Sequence, residues 1–302
     1  RLVGSEMCIR DSRVGFLSLR DGLGEEGTIV GGALMGKCTG GTPNLAALKV
    51  MLHMENSTFI IINSFDMIIC FVYLVMLMTV GIKLGRKWLG RGIYTTDTQV
   101  NLDEYAEKNP YRDFGKKKSI LQLLKVFATA AIIAVISLLV SNLFKEGTAL
   151  YDILGGDFSM VALILTLTTI SLLLTCFREV RSWDKSFDAG MYLIYIFCLA
   201  MAMLADLSQL NWRVGLWVLI YQTIIVFGSL LISVLLAKPF KVDADSAVIT
   251  SDTLVNSPIC VPMIAATMKN KNAIMVGITN GLAGYAIGNY LGYLMFNLLQ
   301  LL

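Results

Sequence analysis

The chain has 302 residues, 56% hydrophobic and 16% charged, with 25 Lys and Arg against 22 Asp and Glu and a mean hydropathy of +0.68. A soluble domain carries about 45–50% apolar and about 25% charged residues, so this composition excludes an ordinary globular domain. A net charge of +3 gives no basis for a nucleic-acid partner, and one histidine, His53, leaves little material for Ser-His-Asp chemistry or histidine-rich metal centres.

Residues 1–12 (RLVGSEMCIRDS) read as a non-native sequencing scar, which makes the native N-terminus missing; residues 13–84 are then the remainder of a first repeat. Residues 28–52 form a hydrophobic stretch interrupted by Thr39, Gly40, Gly41, Thr42, Pro43 and Asn44. After a polar turn at 53–57 an apolar span covers 58–82 and ends in Lys83, Arg86 and Lys87. Residues 85–118 form one long polar loop, basic at both ends, and the positive-inside rule makes it cytoplasmic.

Further spans are expected at 119–144, 158–177, 187–206 and 214–237, each about long enough to cross about 30 Å of hydrocarbon. A second interrupted stretch covers 244–268, broken around Asp252, Asn256, Ser257, Pro258 and Pro262. The last span, 273–302, carries Gly277, Gly281, Gly284, Gly288 and Gly292, a small-xxx-small face for close helix contact, either inside one protomer or at a homodimer seam. The cysteines form no CxxC pair, and all but Cys8 lie in apolar runs as small hydrophobes.

Irregular backbone at membrane depth survives only when buried in protein or lining a cavity. Two such interruptions far apart in a polytopic chain point to the substrate site of a secondary transporter. If both stretches cross completely, Lys269 and Lys271 fall outside, against the charge rule. If both are re-entrant, the first dips from outside and the second from the cytoplasm, and the helices after them run oppositely, as an inverted repeat requires.

The glycines allow unusual backbone angles, Pro43 frees a carbonyl from the helical ladder, and Thr39, Thr42 and Asn44 add oxygens suited to Na⁺ or substrate. The plain alternative is a proline kink whose side chains satisfy local backbone. The two interruptions share a weak local match, Thr42-Pro43-Asn44 against Ser257-Pro258-Ile259. Lys49 and Lys269 read as the ends of their half-helices.

A carboxylate at mid-membrane costs about 2.5–3.5 kcal/mol on an insertion scale. Asp66, with Asn63 on the same face, and Asp252 are therefore the candidates for binding Na⁺ or exchanging a proton. The alternatives are an inward-facing structural pair for Asp66 and a helix N-cap for Asp252. Asn280 and Asn289 read as inter-helix hydrogen-bonding residues. No phosphate loop, paired zinc motif or Gly-x-Ser-x-Gly elbow is present, so no cofactor is expected.

The string from Thr39 to Ala47 (TGGTPNLAA) and the closing Gly284-Tyr285-Ala286-Ile287-Gly288-Asn289-Tyr290-Leu291-Gly292 resemble the bacterial membrane proteins of domain of unknown function 819, the YjcL-like family. The resemblance implies relatives longer at the N-terminus and a place among the cation/proton antiporter and bile-acid/sodium symporter superfamily. With that place go inverted repeats, discontinuous helices and ion-coupled transport.

The expectation is therefore an all-α polytopic membrane protein of the bacterial inner membrane with an inverted-repeat transporter fold, two broken or re-entrant helices and an incomplete first repeat. It would carry a small organic solute, an anion, amino acid or peptide, coupled to Na⁺ or H⁺, and would not be an enzyme. A cation/proton antiporter without organic substrate and a non-transporting sensor or scaffold are the alternatives.

Overall fold

The computed structural model describes residues 26–90, 117–145, 159–181, 212–240, 242–270 and 272–301, with isolated positions between 183 and 203. Among the described residues all regular structure is helical. The elements are α1 (Gly27–Met51), α2 (Asn56–Met76), α3 (Ile82–Leu89), α4 (Lys117–Asn142), α5 (Ser159–Leu174) and α6 (Arg178–Arg181), followed by α7 (Trp212–Ala237), α8 (Ala244–Asn256), α9 (Val261–Met268) and α10 (Asn272–Gln300). The chain divides into two compact units, residues 1–49, 53–104 and 201–302 in one and 50–52 and 105–200 in the other.

In the second unit α4 packs along α5, and Ser141 Oγ donates to the Ser159 carbonyl at 2.8 Å. Leu121, Leu124, Phe127, Ile132, Leu138 and Leu139 leave α4 with an exposed apolar surface. Most of the expected span at 187–206 and most of the polar loop at 85–118 lie outside the described residues.

The first unit holds the interrupted segments. Its longest rod is α2, continued through a π-helical turn at Leu77–Gly81 into α3, so that one helix runs from Asn56 to Leu89 over 34 residues. The expected span at 58–82 therefore extends seven residues further, and Lys83, Arg86 and Lys87 are helical. The sequence pattern is inverted relative to a soluble protein. Met67, Ile68, Phe71, Val72 and Val75 are exposed, while Asn63, Asp66 and Tyr73 are buried. Apolar surface of that extent needs a hydrocarbon neighbour.

The first interrupted segment reverses direction. Gly40 (φ −137°, ψ 15°) and Gly41 (φ 73°, ψ −171°) leave helical geometry within α1. Twelve residues of straight helix would separate Gly36 from Leu48 by about 18 Å, yet the Leu48 side chain packs on Gly36, and Gly32 and Leu48 both lie against Gly292. At the open end of this hairpin the Glu55 amide donates to Glu26 Oε1 at 3.3 Å.

The second interrupted segment also doubles back. α8 ends at Asn256, Ser257 takes φ 86° and ψ 158°, a 3₁₀ turn follows at Pro258–Cys260, and α9 begins at Val261. Its two arms finish side by side, since Asn270 Nδ2 donates to Asp245 Oδ2 at 3.0 Å. Arg86 of α3 holds Asp245 with two bonds of 2.8 and 2.9 Å and donates to the Met268 carbonyl at 2.6 Å. The first hairpin thus has its open end at the start of the α2–α3 rod and the second at its finish.

α10 lies against both hairpins through its glycines. Gly277 and Gly281 face Ile249, Thr253, Pro258 and Val261 of the second hairpin. Gly284, Gly288 and Gly292 face Gly40, Gly36 and Gly32 of the first, in antiparallel order. A methyl group on Gly36 would sit 3.0 Å from the Gly288 carbonyl oxygen, one on Gly288 would sit 3.1 Å from that of Gly36, and one on Gly32 would sit 2.9 Å from that of Gly292. Backbone meets backbone here, and only glycine fits. The glycine face is filled from within the protomer.

Among the described residues three helices are long and apolar enough to cross a membrane: Asn56–Leu89, Ser119–Asn142 and Gly215–Ala237. The chain is a membrane protein whose described residues are helical in all their regular structure.

Candidate functional site

The two reversals meet. A Cβ on Gly41 would lie 2.8 Å from Ser257 Oγ and 3.3 Å from Tyr285 Cε1. Gly41 and Ser257 share one backbone conformation, positive φ with extended ψ, a region that costs a side chain of order 1–3 kcal/mol. The weak sequence match paired Thr42-Pro43 with Ser257-Pro258; the torsions pair Gly41 with Ser257, one residue earlier. Sequence identity at the prolines misplaced the register because the turn residue itself is a glycine in one copy and a serine in the other.

Around this contact Asn44 Nδ2 donates to the Tyr285 carbonyl at 3.2 Å, and Pro258 packs on Gly281. Thr39 Oγ1 donates to the Met35 carbonyl at 2.7 Å, so its hydroxyl hydrogen serves its own helix. Thr42 and Pro43 are half-buried just past the turn. Pro262 stands apart, in the first turn of α9, where a missing amide hydrogen costs nothing.

Asp66 is 5% exposed and forms an ion pair with Lys37, which is 1% exposed. Lys37 Nζ also donates to Cys70 Sγ at 3.1 Å and to the Val255 carbonyl at 3.3 Å. Gln222 Nε2 of α7 donates to Asp66 Oδ1 at 2.6 Å. One buried charge pair therefore ties the first hairpin, α2, the second hairpin and α7 together. Asn63, one turn before Asp66, is buried at 2% exposure. The inward-facing pair expected for Asp66 exists, but its cationic partner is Lys37. Sequence reasoning passed over Lys37 and Gln222. A lysine set between glycines in an apolar run was the available signal; for Gln222, inside a uniformly apolar span, its polarity alone was.

Asp252 is fully buried in the last turn of α8. It is not the N-cap of the helical stretch after the break, whose cap positions are Ser257 and Cys260, and α8 itself is capped by Asp243, whose Oδ2 accepts from the Ser246 amide at 3.0 Å. Asn256 Nδ2 donates to Asp252 Oδ1 at 2.7 Å, and Asp252 Oδ2 and Asn256 Oδ1 have no hydrogen-bond partner. Buried polar oxygens left in this state cost about 1–3 kcal/mol each. The structure shows no contact between Asp252 and Asp66 among the described hydrogen bonds. Lys49 Nζ lies 4.6 Å from the centre of the Phe59 ring, and Lys269 ends α9 in a left-handed conformation, both as half-helix ends. Asn280 Nδ2 donates to Thr250 Oγ1 at 2.7 Å, joining α10 to α8.

A cavity of about 550 Å³ runs between α7, α8 and the start of α10, with exposed Phe240, Val242 and Met275 at its rim and buried Cys38 and Val255 at its inner end. A smaller space of about 100 Å³ shares Thr250, Leu254, Thr279 and Asn280 with it and reaches Thr39 and Gly284 beside the first turn. The described lining is apolar with hydroxyl and amide groups and contains no Asp, Glu, Lys, Arg or His.

Comparison with known proteins places these features in a family. A Bacillus subtilis (strain 168) protein, the uncharacterized membrane protein YjcL, is 24% identical over 273 residues, which cover 89% of this chain and 67% of that protein. No solved structure matches the chain. The family profile described as "Protein of unknown function (DUF819)" matches residues 2–302, and the chain belongs to that family.

Proposed function

We propose that the protein is a secondary active transporter, not an enzyme, that moves a small organic solute across the bacterial inner membrane by alternating access, coupled to Na⁺ or H⁺. The observation that carries this reading is the contact of two helical hairpins at Gly41 and Ser257, with their open ends at opposite ends of the α2–α3 rod. In a bilayer the hairpins enter from opposite faces, the second from the side carrying Lys83, Arg86 and Lys87, which is cytoplasmic by charge. Each hairpin is followed by a long helix, α2–α3 and α10, and those two run in opposite directions. That is the arrangement of an inverted repeat.

The function follows from the physics of the turn. Helix arms that begin at Thr42 and at Pro258 present their positive ends to one place, which suits a carboxylate or another electron-rich group. Irregular backbone there is covered by α10, and the smaller space reaches Thr39 beside the first turn. Reconstitution in liposomes under an imposed Na⁺ or proton gradient tests the reading. Gradient-dependent uptake of at least one solute from a panel of carboxylates, amino acids and short peptides is expected. Ser257→Trp, which fills the crossing, abolishes it. No uptake of any class under either gradient overturns the organic-solute reading.

The buried Lys37–Asp66 charge pair, neither member of which lines the cavity, favours a second reading, a cation/proton antiporter without organic substrate. Its signature is a proton flux driven by Na⁺ alone and lost in Asp66→Asn.

A further inference from the structure

The environment of the Lys37 ammonium is that of a bound ion. Its neighbours are the Asp66 carboxylate, the Val255 carbonyl oxygen and the Cys70 thiol, supplied by α2 and by the last turn of the second hairpin. The carbonyl comes from the turn in which α8 runs out, where a backbone oxygen is released from the helical ladder. A further side chain holds the carboxylate. Gln222 is fully buried, its Nε2 is committed to Asp66, and its Oε1 has no hydrogen-bond partner. A carboxylate and a backbone carbonyl around one buried positive charge form the core of a ligand set for a hard monovalent cation, and the Gln222 amide fixes the carboxylate in place. A lysine side chain that reaches into it from another element acts there as a tethered cation.

We propose that the Asp66 cage is a monovalent-cation site that Lys37 fills in this conformation, and that withdrawal of the first hairpin hands the site to a free cation. The second half of the statement rests on the alternating-access reading above; the first half does not. Lys37 lies four residues before Gly41, on the arm that carries the turn, so any displacement of that hairpin tip moves the ammonium. The buried carboxylate then demands another positive charge. Tethered and free cation exclude each other, which ties ion entry to hairpin position with no further device.

The test uses the full chain in detergent, with NaCl compared against choline chloride at equal ionic strength. The wild-type melting temperature is expected to be the same in both salts, because Lys37 holds the site. Lys37→Ala is expected to melt lower in choline and to recover by several degrees, saturably, with NaCl or with methylammonium chloride, which supplies the lost ammonium group. Lys37→Ala/Asp66→Asn and Lys37→Ala/Gln222→Ala lose that recovery. If Lys37→Ala does not survive purification in choline, a monodisperse preparation obtained in NaCl or methylammonium alone is the same result. No cation-specific recovery, a wild type that responds as strongly as the variant, or loss of both Lys37→Ala and Lys37→Ser in all three salts overturns the proposal. The readout is equilibrium stability, so liposomes without solute uptake would end the transport reading while leaving the cage intact, and the reverse outcome separates them equally well.

Discussion

The two hairpins solve one geometric problem with different residues. The first turns on Gly40-Gly41, where a positive φ carries no side-chain penalty, and the second turns on Ser257, where it does. Their buried charges differ in the same sense. Lys37 of the first hairpin has its counter-ion on α2, whereas Asp252 of the second has a neutral amide on one oxygen and nothing on the other. The first hairpin is settled, and the second holds strain and an unmet oxygen beside the same crossing. Strain kept at a contact between two turns is the pattern of a functional site, because the surrounding fold must over-determine it.

Breaking the settled side is expected to cost most. Asp66→Leu leaves Lys37 charged and alone in the core, a loss of about 3–5 kcal/mol, read by chemical denaturation of the purified protein. Lys37→Met/Asp66→Leu recovers most of it, and failure to recover would mean that Asp66 acts through Gln222 and not through Lys37.

Glycine replacement tests the packing of α10 on the first hairpin. Gly288→Ala pushes a methyl group onto Asn44 and the Gly36 carbonyl, with an expected loss of about 1–3 kcal/mol. Gly85→Ala meets Val248 and Ala244 only at ordinary contact, 3.4 and 3.7 Å, and is expected to be neutral or to stabilise by up to about 1 kcal/mol. Equal effects at the two sites would remove the argument from close approach.

The turns themselves give opposite signs. Gly41→Ala costs about 1–3 kcal/mol, while Ser257→Gly relieves strain of similar size and raises the melting temperature. The same Ser257→Gly protein is expected to transport less, since the hydroxyl against Gly41 is gone. The smallest effect belongs to the base of the second hairpin. Asp243→Ala removes the α8 cap at a cost of about 0.5–2 kcal/mol, measured as a shift in melting temperature with uptake unchanged.

Much of this was readable in the chain. Glycine and proline act within a residue or two, so Thr39–Asn44 and Asn256–Pro258 were identifiable as interruptions from composition alone. The parity of charged loops weighed against full crossing, which puts Lys269 and Lys271 outside, and stopped there, because a rule about loops does not fix the path of the chain between them. Asp66 stood out as a carboxylate in an apolar run; Lys37, equally conspicuous by that rule, lay so near the glycines that the turn claimed its neighbourhood. Asp252 suggested a cap because it precedes a proline turn, yet α8 had already begun at Ala244 with Asp243 capping it.

Sequence by itself determined the membrane character, the presence of long apolar rods and the positions of the two interruptions, since hydropathy and backbone permissiveness are properties of short stretches. Only the tertiary structure decided that each interrupted segment doubles back, that the two turns touch, and that Lys37 pairs with Asp66 while reaching the Val255 carbonyl 218 residues away. Those outcomes depend on which surfaces exclude lipid and water together, and no local pattern encodes the partner of a buried charge.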